Sequence, residues 1–183
     1  GQITAIGFSL YMEMLEQAVK ALQSGKEPAL DQLLRAQTEI ELRLPALLPD
    51  DYIPDVNMRL SMYKRIATAE DETALRELQV ELIDRFGLVP EPGKNLVALA
   101  GLKLKASALG IDKIDAGPQG GSIAFAQDAK VDPMYLVSLL QSQPRIYKME
   151  GPTKLRFAIP SEDAKARLAL VGDMLNELIA HQA

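Results

Sequence analysis

The chain has 183 residues, of which 48% are hydrophobic and 25% charged, and this composition is typical of a folded globular protein. It has no cysteine, which excludes disulfides and thiolate metal sites and fits the reducing environment of the cytoplasm. A net charge of −5 argues against a stand-alone nucleic-acid-binding protein, and no apolar run approaches the roughly 20 residues of a membrane span.

The first predicted helix is amphipathic and starts close to the N-terminus, where Ser9 can cap it. Its apolar residues recur at spacings of three and four: Tyr11, Met14, Leu15, Ala18, Val19 and Leu22. This helix either packs on its own domain or projects as an arm from a preceding one. The chain also lacks an initiator methionine, so we expect a piece of a longer protein. We predict an arm helix at residues 1–26, a linker at 27–37 and a domain at 38–183.

The first half of this domain is predicted to be one strand followed by three helices. Residues 38–44 (TEIELRL) alternate between apolar and polar side chains, which predicts a strand with one buried face. The helices are predicted over residues 56–67, 68–86 and 94–109. Asp55 can cap the first of them, and Thr68 with Asp71 resembles a capping box for the second.

The second half is predicted to contain two strand pairs and two helices. The strands are predicted over residues 113–116, 122–126, 145–149 and 154–159. The GPQGG stretch suits a hairpin turn rather than a phosphate-binding loop, because no Lys followed by Ser or Thr accompanies it. The helices begin at Asp132-Pro133 and at Pro160-Ser161. The strands are joined by hairpins, and the helices are grouped in other parts of the chain. This arrangement predicts an α+β fold, with a small mixed or antiparallel sheet, several packed helices and the preceding arm helix.

Residues able to carry catalysis or hold a cofactor are scarce. His181 is the single histidine and lies near the C-terminus, where chains are usually poorly ordered. Without it or a cysteine, the common nucleophiles lack a base other than a carboxylate, and no His or Cys joins the carboxylates in a metal-binding pattern. We therefore expect no catalytic residue, no metal and no cofactor in this chain.

Four basic residues lie on the last two predicted strands: Arg145, Lys148, Lys154 and Arg156. Cross-strand neighbours lie within reach of each other, so these residues can form one basic face. With Tyr147 and Phe157 beside them they weakly resemble a nucleic-acid-binding surface. The alternative is an ordinary solvated face of the sheet.

An acidic stripe on the second predicted helix is a sharper signal. Glu77, Glu81 and Asp84 are spaced by four and three residues, so they share one face, with Val80 as a small apolar centre. Like charges at this spacing destabilise a helix, and Asp84 also lies at the end where the macrodipole disfavours a negative charge. Arg85 can reach Glu81, but nothing similar serves Glu77 or Asp84. The stripe is either a solvated face or a docking face for arginines of another protein surface.

Two segments of this region resemble a known family. Residues Leu47–Ala67, LLPDDYIPDVNMRLSMYKRIA, and Glu81–Gly87, ELIDRFG, are similar to the C-terminal domain of the bacterial transcription-repair coupling factor. The resemblance covers nearly the whole chain. It implies a parent motor that binds DNA, ATP and Mg and that releases stalled RNA polymerase, whereas the motor's nucleotide motifs are absent from this chain.

The resemblance also implies a regulatory role and its residues. The family's C-terminal domain rests against an N-terminal recruiting module of the same protein and masks its binding site for the excision-repair damage-recognition ATPase. Carried onto this chain, the masking residues are Glu81 and Asp84, and helical spacing adds Glu77 and Val80. We therefore expect a non-catalytic, autoinhibitory domain that docks through the acidic face. The alternatives are an accessory nucleic-acid-binding domain that uses the basic strands, and a homodimer formed through the arm helix and exposed sheet edges.

Overall fold

The computed structural model of the protein describes residues 38–182, which form two compact units. The helical unit comprises residues Leu44–Gly101, and the sheet unit comprises residues 38–43 and 102–182. The predicted arm helix and linker fall within residues 1–37, outside the described residues. The arm, the linker and the dimer hypothesis that rests on the arm therefore stay predictions.

The helical unit contains helices α1 (Val56–Ala67) and α2 (Glu72–Phe86) and the part of α3 (Glu91–Leu109) up to Gly101. Asp55 caps α1 as predicted, with its carboxylate accepting a hydrogen bond from the Met58 N–H at 3.0 Å. Gly87 ends α2 as predicted, at a φ of 89° that favours glycine. The core of this unit includes Ile53, Met62, Leu82 and Leu96, all of which are almost fully buried.

The predicted start of α2 is wrong. Thr68 belongs to the end of α1, where its hydroxyl donates to the Lys64 carbonyl at 2.7 Å. Asp71 caps α2 by accepting from the Ala74 N–H at 2.8 Å. Helix α3 also begins earlier than predicted, because Pro92 fits the first turn, where a missing N–H loses no helical hydrogen bond.

The sheet unit contains a five-stranded mixed sheet with the order β1-β2-β3-β5-β4. The strands are β1 (Glu39–Glu41), β2 (Ile111–Gly117), β3 (Gly120–Phe125), β4 (Tyr147–Met149) and β5 (Lys154–Phe157), and the helices are α4 (Pro133–Ser142) and α5 (Ala164–Ala180). Strand β1 is parallel to β2, and the other pairs are antiparallel. The GPQGG stretch forms the predicted β2–β3 hairpin. The α+β prediction is confirmed.

Residues alternate between the two faces of this sheet. The covered face carries Ile114, Ile123 and Leu155, each with at most 1% of its surface exposed. On the opposite, open face, the register places Lys148 beside Arg156 and Arg156 beside Ser122. The side chains available to a ligand of the sheet are therefore those of the open face.

Several predicted boundaries in the sheet unit are wrong. Strand β1 is shorter than residues 38–44. Strand β4 starts at Tyr147, because the N–H groups of Ile146 and Tyr147 both donate to the Gln143 carbonyl at 3.0 Å and form a turn there. Helix α5 is capped by Asp163 rather than opened at Pro160-Ser161; the Asp163 carboxylate accepts from the Ala166 N–H at 2.7 Å.

Arg167 of α5 is buried, with 4% of its surface exposed, although a charged residue was not expected inside. It lies four residues before Val171, on the buried face of this helix. Its guanidinium donates to the carbonyls of Leu42 at 2.8 Å and Ser161 at 2.9 Å, and to the Ser161 hydroxyl at 3.1 Å. A buried charge is tolerated when its hydrogen bonds are satisfied. Arg167 therefore joins two segments to α5: the one that follows β1, through Leu42, and the one that follows β5, through Ser161.

Candidate docking surface on helix α2

The C-terminal end of α2 is held by Tyr52, from the extended segment before α1. The Tyr52 hydroxyl lies 2.8 Å from the Gly87 carbonyl and 3.1 Å from the Leu82 carbonyl. Its ring meets that of Phe86 edge-on, with centroids 5.9 Å apart. The DDYIPD segment therefore fixes the helix end at which the acidic stripe lies.

Two further hydrogen bonds fasten this extended segment to α1. The Leu48 N–H donates to the Tyr63 hydroxyl at 2.7 Å, and Arg59 donates to the Ile53 carbonyl at 2.8 Å. Tyr52, Ile53, Arg59 and Tyr63 all belong to the long motif quoted above. That motif acts as a scaffold for α1 and α2.

Glu81 is matched by two arginines of its own unit, of which only Arg85 was predicted to reach it. Arg65 of α1 forms a two-pronged ion pair with its carboxylate, at 2.6 and 2.8 Å, and Arg85 approaches it at 2.9 Å, as predicted. The two hydrogen bonds from Arg65, followed by the one from Arg85, lower the pKa of Glu81 to about 2. The carboxylate is therefore ionised at neutral pH, and it joins α1 to α2.

Glu77 and Asp84 remain exposed. Among residues 38–182, no lysine or arginine lies within ion-pair distance of either carboxylate. Val80 between them is 58% exposed, and Ile83 on the next turn is 45% exposed. We call these four residues, with Glu81, the α2 surface. It combines three carboxylates with a small apolar centre and is flanked by two guanidinium groups.

Sequence reasoning missed two members of this region. Ile83 could have been found, since it lies off the buried stripe of Leu75, Leu78 and Leu82 and so had to be exposed. The pairing of Arg65 with Glu81 joins two helices, and no spacing within one helix reveals such a contact. It depends on how α1 packs on α2.

The basic residues of the sheet unit are only partly brought together. Lys148 and Arg156 are cross-strand partners on the open face, and Lys154 lies on the same side of β5. Arg145 lies in the turn before β4 rather than on a strand. Glu150 approaches Lys154 at 3.7 Å and Arg156 at 3.6 Å, so part of this positive charge is offset.

The aromatic part of the nucleic-acid hypothesis is wrong. Phe157 is 3% exposed and Tyr147 is its cross-strand partner, so both lie on the covered face, away from Lys148 and Arg156. The open face also carries acidic residues, because β1 and β2 contribute Glu41 and Asp115. Neither ring can stack on a base bound at the open face, and electrostatics alone would have to carry such binding.

Residues 38–182 also bear on metal binding and on membrane insertion. In this part of the chain, no group of three or more His, Asp or Glu side chains is placed to hold a metal ion. None of its helices combines the length and the apolar character that a bilayer crossing requires. The single histidine, His181, is exposed, and its ring stacks on that of Tyr135 with centroids 3.9 Å apart.

Comparison with known proteins agrees with the resemblance found in the sequence. The TRCF domain family model matches residues 42–136. The chain is 53% identical over 180 residues to the transcription-repair-coupling factor of Haemophilus influenzae, and 52% identical over 178 residues to that of Escherichia coli. These alignments cover 98% and 97% of the chain but only 16% of either relative.

A solved structure has the same fold. The crystal structure of the C-terminal domain of transcription-repair coupling factor superposes with a TM-score of 0.62 at 24% identity. The match covers 79% of this chain and 96% of that one. At this identity the likeness concerns the fold alone.

Proposed function

Because the chain belongs to the transcription-repair-coupling factor family and has the fold of that protein's C-terminal domain, we propose that it is a non-catalytic regulatory domain that docks on another part of its parent protein. The docking face is the α2 surface. Its partner is the N-terminal recruiting module of the parent, and the contact masks that module's binding site for the excision-repair damage-recognition ATPase. The parent is an ATP-dependent and Mg-dependent DNA translocase that releases stalled RNA polymerase in the cytoplasm.

The observation that carries this proposal is the pair of exposed carboxylates of Glu77 and Asp84, which no base of the described residues serves. Arginines of a docked surface would supply charge-assisted, often two-pronged hydrogen bonds to them. Val80 and Ile83 would supply a small apolar contact between these charges. Such an interface gains specificity and association rate from its charges more than affinity.

The contact between Glu81 and Arg65 has a different part in this proposal. It joins α1 to α2 without using the exposed carboxylates, so it holds the α2 surface in shape before docking. A surface that is rigid beforehand loses less entropy when it binds. Glu81 is therefore a positioning residue as well as a member of the surface.

A modest and largely polar interface also suits regulation. A trigger can shift the docked and released populations only by the difference in its binding free energy between the two states. To release a large apolar interface, the trigger would need a correspondingly large difference in binding free energy between the docked and released states. The α2 surface is small enough for a single binding event to release it.

Charge reversal of the exposed pair tests the proposal in the full-length parent. We expect Glu77→Lys with Asp84→Lys to raise the affinity of the parent for the damage-recognition ATPase, because docking would be lost and the masked site freed. The matched control is Asp51→Lys with Glu70→Lys, which makes the same charge change at exposed positions of the same unit. Equal affinities of both variants and the wild type would rule out docking through this surface.

A further inference from the structure

Helix α4 is largely apolar in sequence, PMYLVSLLQS, yet none of its residues is buried. Met134 is 69% exposed and Val137 is 38% exposed. Helix α5 of the same unit, in contrast, buries Val171, Leu175 and Leu178. Single exposed apolar residues are ordinary, whereas larger apolar patches mark interaction sites, so these two side chains alone do not define a site.

An apolar groove of about 230 Å³ adjoins this helix. Ile123 and Leu155 of the sheet's covered face form its floor, and Leu139 of α4 and Met174 of α5 stand at its sides. A dry apolar cavity of about 150 Å³ accommodates a benzene molecule. The groove therefore has room for a large apolar side chain, and the flexible thioether of Met174 can adapt to its shape.

The rim of the groove is acidic. Asp173 and Glu177, one helical turn apart on α5, both line it and are both exposed. Among residues 38–182, neither carboxylate has a lysine or arginine within ion-pair distance. Two like charges at this spacing destabilise a helix, so packing of the domain alone does not account for them.

The phenol of Tyr135 faces the same space. Burial, and then the negative charge of Glu177, raise the pKa of the Tyr135 hydroxyl. Tyr147 also lines the groove, and burial raises the pKa of its hydroxyl. Both phenols are therefore neutral at neutral pH, and they can donate hydrogen bonds without adding charge.

We propose that the groove between α4 and α5 binds a basic amphipathic helix of a partner protein. An apolar side chain of that helix enters the groove, and a lysine or arginine on the adjacent turn lies between Asp173 and Glu177. This is the helix-in-groove mode of recognition, in which apolar anchors provide contact area and flanking charges provide specificity. The groove belongs to the sheet unit and shares no residue with the α2 surface.

The acidic rim also argues against two occupants that this chain itself could supply, namely its predicted arm helix and a second copy of the domain. Residues 9–22 carry Glu13 and Glu16 against a single base, Lys20, so the predicted arm helix does not complement the rim. A second copy of the domain would offer Lys148 and Arg156 on two paired short strands, where the next residue across the open face is Ser122 rather than an apolar one. A basic amphipathic helix offers both features together.

Two designed probes test the proposal on the chain as it stands. One is a short helical peptide with leucines on one face and lysines on the other, and the second has glutamates in place of the lysines. We expect fluorescence anisotropy to detect binding of the lysine peptide and not of the glutamate peptide. Asp173→Lys with Glu177→Lys should weaken binding of the lysine peptide by roughly tenfold or more.

Control variants separate the groove from general attraction to an acidic protein. Asp128→Lys with Glu162→Lys changes the net charge equally at exposed positions of the same unit and should leave the affinity unchanged. Met174→Trp should fill the groove and abolish binding while the rim stays intact. Equal losses in both charge-reversal variants, or binding of both peptides alike, would overturn the proposal. Concentration-dependent sedimentation that Asp173→Lys with Glu177→Lys abolishes would assign the groove to a second copy instead and would overturn it as well.

Discussion

The buried guanidinium of Arg167 makes a stability prediction that can be worked from its contacts. Replacement by methionine keeps an unbranched side chain of similar reach but removes every donor. The carbonyls of Leu42 and Ser161, which Arg167 now serves at 2.8 and 2.9 Å, would then be left without that partner inside the protein. An unsatisfied buried acceptor costs about 1–3 kcal/mol, so we expect Arg167→Met to lower the free energy of unfolding by about 2–6 kcal/mol.

Arg167→Lys distinguishes hydrogen bonding from charge. The lysine keeps the positive charge, but one ammonium group cannot reach both carbonyls in the geometry of the planar guanidinium. One acceptor would stay unpaired, so we expect a loss of about 1–3 kcal/mol. If charge alone mattered, this variant would be as stable as the wild type.

Urea and thermal unfolding followed by circular dichroism measure both effects. For a chain of this size, each kcal/mol lowers the midpoint temperature by roughly 2–4 °C. Lys165→Met, at an exposed position of the same helix, is the matched control and should change stability by no more than about 0.5 kcal/mol. A value for Arg167→Met that is as small as that of the control would refute the assignment of Arg167 as a structural clamp.

The remaining predictions concern charge. The folded pKa of Glu81, about 2, lies below its ordinary value of 4.5, so the stability from its arginine contacts is present above pH 4.5 and is lost as the pH falls through 2. Melting curves of the wild type and Glu81→Gln should therefore differ most at neutral pH and converge toward pH 2; a constant difference over this range would contradict the assignment. If the open face of the sheet binds nucleic acid, the isolated chain should bind DNA with an affinity that falls steeply as the salt concentration rises. The double variant Lys148→Ala with Arg156→Ala should make this salt dependence less steep. Binding that does not depend on salt, or no binding, would exclude this alternative function.

Helix ends were predictable wherever a local hydrogen bond sets them. Asp55 and Asp132 cap α1 and α4 as the sequence indicated, because a side chain that accepts from a nearby backbone N–H acts within one turn. The hairpin between β2 and β3 was predictable because its turn is also local and depends on glycine, with Gly120 at a φ of 147°. Thr68 misled the prediction, since a hydroxyl can equally well donate to the carbonyl one turn back and close the preceding helix.

Features that join distant parts of the chain were not predictable. The hydrogen bond from Arg167 to the Leu42 carbonyl spans 125 residues, and the ion pair of Arg65 with Glu81 spans 16. No periodicity reports such contacts, because each depends on the packing of two elements. Membership of the acidic stripe could be read from helical spacing, whereas the partners of its carboxylates could not.

The pairing of Glu81 changes what a docked partner must look like. Had all three carboxylates been free, a partner surface of arginines alone would complement them. Arg65 and Arg85 already stand beside Glu81, so the region presents both signs, and its best complement places arginines opposite Glu77 and Asp84 and a carboxylate near the two guanidinium groups. Reversing the charge of Glu81 would break its ion pair with Arg65, which joins α1 to α2, and would also disturb any docking. The effect of that change could not be assigned to either cause. Reversal of Glu77 and Asp84 leaves that joint intact, which is why these two residues separate release of a docked module from loosening of the domain that holds it.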